Sequence, residues 1–319
     1  MDGRDARAPE LAARRSGGWW IGLALLVVAI GAVRGRLLDM PLERDEGEYA
    51  YAGQLLLDGV PPYAQAYTMK LPGAALLYAL AMAAFGETIR GVHLGLLAAN
   101  AGTSLLVFLL ARRLLGAAAG LAAAAAFAVL SLHPAAHGLF ANAEHFVLFF
   151  AVGGMGLVLK AREERGIGAL LGGGLLLGTG VLMKQPGAAF VLAGGLVLLA
   201  GELGRRPRAP GRSAARLALF AAACAAPYLA TCLALLAAGT FETFWFWTVT
   251  YARAYTGELG TDQARAELAA KGGAVLGPAK ELALLALLGL SAVVWDPIVR
   301  RHGVFLVSFL LLSAAAVAP

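Results

Sequence analysis

Between Arg216 and Glu242 the chain runs through 25 consecutive residues with no Asp, Glu, Lys or Arg. Similar uncharged runs occupy Trp19–Val33 and Gly91–Ala111. A helix needs about 20 predominantly apolar residues to cross the hydrocarbon core of a bilayer. Several such runs in one chain of 319 residues are more than a single soluble core can bury. A closed β-barrel, the other architecture that spans membranes, requires alternating polarity along each strand, and these runs are continuous. Composition agrees: 60% of the residues are hydrophobic and 14% charged, against roughly 45–50% and about 25% in soluble domains. The sequence therefore predicts an all-α, polytopic transmembrane helix bundle.

The runs place about nine spans, at 18–38, 89–111, 116–133, 141–159, 167–183, 186–201, 216–238, 280–295 and 304–319. Segment 72–86 is apolar but short, which suits a re-entrant or interfacial helix better than a full span. Arg14-Arg15 precede the first run as they would in a signal peptide. That run is long for a signal h-region, however, and no A-x-A-like site follows it; it reads as a retained first span. The domain reading is then a tail over 1–17 and a single membrane domain over 18–319. The apolar run that ends at Pro319 has no polar tail, and the expectation is a C-terminal truncation. Cys224 and Cys232 lie in one apolar run and read as small core residues, with neither disulfide nor metal implied. Ala117–Ala128 is a small-residue stretch that permits close helix packing. No internal repeat marks the chain as a transporter built from halves.

Orientation follows from the Lys/Arg bias. With the N-terminus inside, sixteen of the 26 basic residues fall on inner segments, and at most ten on much longer outer ones. The N-terminus is expected to be cytoplasmic. Thirteen of the 20 acidic residues then lie outside, a split that the bias itself does not require. The net charge of +6 thus reflects topology, and nucleic acid is not an expected partner. The basic stretch Arg205–Arg216, with Pro207 and Pro210, reads as a disordered connector lying against anionic membrane lipids. Two outer loops are long, about 39–88 and 239–279. Long ordered loops are usually functional, so the chemistry is expected on the exoplasmic face.

The first outer loop reads Glu43-Arg44-Asp45-Glu46-Gly47-Glu48-Tyr49-Ala50-Tyr51. A helix starting at Asp45 puts Asp45, Glu48, Tyr49 and Ala52 on one face, and Gly59 with Pro61-Pro62 ends it. Asp45 and Glu48 fit a capping box, but a cap accounts for two acids, not for four within six residues. A carboxylate at such a helix start can be a base or a metal ligand. Lys70, before Pro72, can snorkel to the interface or meet a lipid phosphate as a point charge. Lys184-Gln185-Pro186 makes a tight turn between two spans; Pro186 suits a first helical turn, and a lysine there again suits a phosphate. Glu144 stands at the mouth of an apolar span, where an acid needs a partner. His133, His137 and His145 invite a zinc reading, but Pro134 and Gly138 interrupt any regular helix through them and no H-E-x-x-H is present. Phe241 to Tyr255 is rich in aromatics; an interface belt is the default reading, and a sugar-stacking platform is the alternative.

At these residues the chain resembles a family. One span is followed by Arg44-Asp45-Glu46 with Tyr49-Ala50, then Gly59, Pro62-Tyr63, Lys70, Pro72 and Phe85-Gly86, with Ala143-Glu144 and Lys184-Gln185 further on. The ordered set is similar to the GT-C membrane glycosyltransferases, in the branch of protein O-mannosyltransferases, aminoarabinose transferases and rhizobial lipopolysaccharide sugar transferases. The resemblance covers about residues 20–319. It implies transfer of a sugar from a polyprenyl-phosphate donor to an envelope glycan, lipid or protein acceptor, at a bacterial inner membrane. It implies Asp45 as the catalytic carboxylate with Glu46 as its neighbour, and Lys70 and Lys184 as contacts of the donor phosphate. Arg44, Tyr49, Tyr63, Glu144 and Gln185 are implied as site support. Some relatives use a divalent cation and others do not, so a metal stays open. The chain departs from the family at Leu71, where a second Pro is common, and at His93, where Arg is. The rival readings are a transporter or lipid-linked sugar flippase, which would place charges near mid-span on broken helices, and a non-catalytic assembly partner.

Overall fold

The computed structural model describes residues 7–134, 137–207, 209–257 and 279–317, with a few positions between 266 and 277. Part of the N-terminal tail (residues 1–6), part of the second long outer loop and Pro319 lie outside the described residues. Among the described residues the chain is helical and contains no strand, as the continuous apolar runs require. Helix α1 spans Arg7–Gly35, α2 Arg44–Leu57, α3 Gly73–Phe85, α4 Ile89–Leu115, α5 Ala117–Leu130, α6 Ala143–Glu164, α7 Ile167–Met183, α8 Ala188–Leu203 and α9 Pro210–Ala237. Beyond α9 come the short helix Phe241–Trp245, a π-helical turn Phe246–Tyr251, and the helices Lys280–Trp295, Pro297–Arg301 and Gly303–Val317.

Among the described residues five segments are long and apolar enough to cross a membrane: Gly17–Gly35, Ile89–Leu115, Ala143–Glu164, Gln185–Leu203 and Pro210–Ala237. Helices α5 and α7 and the apolar stretch Gly303–Ala316 are shorter. The polarity of the bundle is that of a membrane protein. Leu192, Leu196, Leu199 and Leu203 of α8 and Leu229, Leu233 and Leu236 of α9 are exposed. Apolar patches of that extent mark surfaces that face lipid or protein rather than water. The interior is a continuous core including Met155, Leu159, Leu170, Leu177, Val197 and Leu198.

Glycines set the spacing of the central helices. A Cβ added at Gly178 of α7 would stand 2.1 Å from the Cys224 carbonyl oxygen of α9, so the two backbones touch there. Small residues provide such contacts where no aqueous hydrophobic effect drives helices together. Helix α3, the short apolar segment, exposes Leu76 and Leu80 and buries its other face. Its Ala74, Tyr78 and Met82 are buried, and it packs against α2, α4 and α7.

The basic connector departs from expectation. Helix α9 begins at Pro210, and Arg216 is buried within it. Arg216 donates to Glu202 Oε1 at 2.9 Å, to the Ala161 carbonyl at 2.8 Å and to the Arg165 carbonyl at 3.1 Å. Arg205 donates to the Arg162 carbonyl at 2.8 Å, and Ser213 to Glu202 Oε2 at 2.9 Å. At the end of α6 the Ala161 carbonyl keeps a backbone partner in the Arg165 N–H, while the carbonyls nearer the terminus lie beyond the reach of intrahelical bonds. Two guanidiniums supply them, with the buried Glu202 carboxylate compensating their charge. An arginine used as a helix cap cannot also trail in solvent.

Candidate functional site

The chain enters α2 extended, with Glu43 at φ −78°, ψ 175°, and turns helical at Arg44. Glu46 closes a capping box by accepting from the Glu43 backbone N–H at 2.9 Å. The expected box between Asp45 and Glu48 is therefore displaced by two residues, and the reason lies in the interior. The Glu46 side chain is fully buried. Its Oε1 accepts from the Ala141 N–H at 2.5 Å and faces His93 Nε2 at 3.2 Å. The His93 Nδ1 donates to the Leu38 carbonyl at 2.9 Å. A buried carboxylate is stable only where it finds such partners, and these partners decide the helix register.

The displaced box frees Asp45 and Glu48, which share a helix face at i and i+3. Both turn to Lys70. Its Nζ lies 3.1 Å from Asp45 Oδ2 and 2.9 Å from Glu48 Oε2, and 4.5 Å from the centroid of the Tyr49 ring. Arg44 reaches Asp45 Oδ1 at 3.2 Å from the other side. Burial pushes the Asp45 carboxyl up, but the Lys70 ammonium and the Arg44 guanidinium outweigh it and hold it below the usual carboxylate range.

The segment that carries Lys70 is tied down at several points. Tyr63 is buried in a left-handed conformation, φ 65°, sparse territory for a side chain of that size. Its hydroxyl donates to the Lys70 carbonyl at 2.8 Å, and its ring packs on Phe244. The Lys70 N–H donates to Thr68 Oγ1 at 3.1 Å. Gln185 Nε2 donates to the Met69 carbonyl at 2.7 Å, which joins this segment to the turn after α7. In that turn Lys184 is paired with Glu144 of α6.

The structure thus gathers Arg44, Asp45, Tyr49 and Lys70 in one cluster. Glu144, Lys184 and Gln185 form a second, joined to it through Met69. Tyr63 supports Lys70 through its backbone. Glu46 stands apart, behind the cluster and out of solvent. Sequence reasoning treated Glu48 as a cap and gave His93 no partner. Both had signals: Glu48 repeats Asp45 after one helical turn, and His93 is an ionisable group in an apolar helix, which demands a partner.

Beside Lys70 a cavity of about 370 Å³ opens between α2 and the segment leading to α3, lined among others by Glu48, Tyr51, Gln65, Tyr67, Thr68 and Lys70. Its size falls within the roughly 300–1,000 Å³ of small-molecule sites. Among the described residues no three His, Cys, Asp or Glu side chains converge, and Asp45 and Glu48 have an ammonium between them. This arrangement does not fit a divalent cation, and no step is derived through one. Nor do the described histidines form a zinc set.

The bundle presents apolar outer faces and pairs carboxylates with lysines at one end of its helices; its class, the membrane glycosyltransferases of the GT-C type, is given by the family that its sequence matches. Residues 69–231 match the model of the dolichyl-phosphate-mannose-protein mannosyltransferase family, and the chain belongs to that family. The match takes in Lys70, Glu144, Lys184 and Gln185; Asp45 lies ahead of it. Comparison with curated proteins and with solved structures returned no match.

Proposed function

We propose that this membrane glycosyltransferase moves a sugar from a polyprenyl-phosphate-linked donor to a cell-envelope acceptor, with Asp45 as the catalytic carboxylate. The observation that carries the reading is the Asp45–Lys70 contact at 3.1 Å, with the Glu144–Lys184 pair joined to it. A carboxylate able to take a proton there adjoins ammoniums able to hold a phosphate.

In the step we infer, the acceptor oxygen attacks the anomeric carbon and its proton passes to Asp45. The bond from the anomeric carbon to the phosphate oxygen breaks, and its electron pair stays on the phosphate. Fixed positive charge placed where this negative charge develops lowers the barrier. Lys184, with one carboxylate partner, is the more readily recruited cation; Lys70 is shared between two. A phosphate that draws Lys70 away from Asp45 also lets the Asp45 pKa rise, making it a better base as the donor arrives. Glu46 serves as a positioning residue that fixes the register of α2. The Lys/Arg bias supports a cytoplasmic N-terminus and chemistry on the exoplasmic face, and the resemblance to bacterial envelope sugar transferases supports an inner-membrane location.

The test is Asp45→Asn, purified in lipid nanodiscs and assayed with a polyprenyl-phosphate sugar. Loss of a proton-transfer group costs about 10²–10⁴-fold in rate, and a loss of that size is expected. Transfer at the parent rate would overturn the catalytic assignment.

A further inference from the structure

The aromatics of the second outer loop have no part in the transfer step, yet one of them stacks on a residue that lines the cavity beside Lys70. Tyr67 stacks on Trp247, ring centroids 5.1 Å apart and planes inclined by 18°. Trp247 is braced edge-on by Tyr251 at 5.0 Å and by Phe246 at 5.1 Å. Trp247 and both of its bracing residues sit on the π-helical turn Phe246–Tyr251. Such turns are rare and frequent at functional sites.

The stack uses one face of Tyr67, and the residue is still 72% exposed. An interface belt places separate rings among lipid headgroups. Tyr67 instead lines the cavity together with Tyr51, Gln65, Thr68 and Glu48. Glu48 gives Oε2 to Lys70, and its Oε1 has no partner among the described residues. An open aromatic face with an amide, a hydroxyl and a half-used carboxylate around it matches a pyranose, whose C–H face is apolar and whose rim is hydroxylated. The apolar wall of Leu55, Leu56 and Val60 leaves one other occupant to distinguish, an isoprenoid chain.

We propose that this cavity is a saccharide subsite, with Tyr67 as the stacking platform, Trp247 as its support, and Glu48 and Gln65 as hydroxyl partners. Lys184, the cation more readily recruited to the donor phosphate, does not line this cavity, so the sugar held here is assigned to the acceptor. The inference rests on the transferase reading and narrows its acceptor from any envelope molecule to a glycan-bearing one.

The full chain in nanodiscs is examined by saturation-transfer NMR with methyl α-D-glucopyranoside, methyl α-D-mannopyranoside and geranyl phosphate as probes. Saturation of glycoside ring protons is expected. It should vanish in Tyr67→Ala, weaken in Glu48→Gln and persist in Tyr67→Phe, which keeps the ring face. Helicity and elution volume identify any variant that has not folded, and Tyr67→Phe against Tyr67→Leu repeats the comparison at nearly constant bulk. Saturation of geranyl phosphate alone, lost in Tyr67→Ala, would overturn the proposal, as would glycoside signals that ignore every Tyr67 variant. Glycoside binding by an Asp45→Asn protein that has lost transfer supports both readings. Glycoside binding with transfer intact in Asp45→Asn keeps the subsite and removes the catalytic assignment.

Discussion

At Asp45 burial favours the neutral acid, while Lys70 at 3.1 Å and Arg44 at 3.2 Å favour the carboxylate. The cations prevail, and the carboxyl sits below its ordinary value of 3.8. The sign of the pH effect follows. A lowered folded-state pKa means that the charged pair is fully formed above the ordinary carboxylate range and is lost as pH falls through the lowered value. Activity should therefore show no acid limb from Asp45 between about pH 5 and 7, where a carboxylate of unperturbed pKa near 4 would be ionised anyway. Lys70→Met removes the nearest cation while leaving Asp45 in place. Its kcat/KM profile should show an acid limb moved upward, on top of any loss of donor affinity seen in KM. A limb that stays where the parent has it would mean that Asp45 is not the group being titrated.

Among the elements, α2 shows how much the sequence could disclose. That a helix starts among four acids and ends before Pro61-Pro62 follows from local chemistry. Which acids cap it does not, because Glu43–Glu46 and Asp45–Glu48 satisfy the same local rule. The choice is made by His93 and the Ala141 N–H, 47 and 95 residues away from Glu46. The all-helical class was legible because apolar runs need no tertiary information, and the pairing of Lys70 with two carboxylates was not, because it depends on that register. Helix α7 carries the element-scale prediction. Its Gly178 touches the α9 backbone, whereas Gly156 of α6 has open space around its Cα. Gly178→Val must push α7 from α9, at a cost of about 1–3 kcal/mol for an overpacked core. Since Lys184 directly follows α7, the same displacement should reduce transfer activity by loosening the Lys184–Glu144 contact. Thermal unfolding in detergent and a transfer assay check both effects, with Gly156→Ala as the control expected to match the parent.

Over the whole molecule, α6 separates two polar ends. At about 1.5 Å per residue, its 22 residues put Glu144 of the site some 30 Å from the Ala161, Arg162 and Arg165 carbonyls that the two arginines cap. The far end holds α6, α8 and α9 together through Glu202, which is buried and bonded to Arg205, Arg216 and Ser213. Removing one partner of a buried ion pair costs on the order of 3–5 kcal/mol, because the other charge stays buried without compensation, while replacing both by apolar groups is often close to neutral. Glu202→Leu should therefore lower thermal stability more than the double variant Glu202→Leu/Arg216→Leu, apart from the α6 carbonyls that the double variant leaves uncapped. Unfolding temperatures of the parent, both single variants and the double variant form the cycle that measures this coupling. Transfer activity per folded molecule should be retained in all of them, because no contact at that end touches Asp45, Lys70 or Lys184. A Glu202→Leu protein of parental stability would show that the arginines hold the helix ends without their carboxylate. Lost activity in a fully folded variant would show that the two ends are coupled along α6.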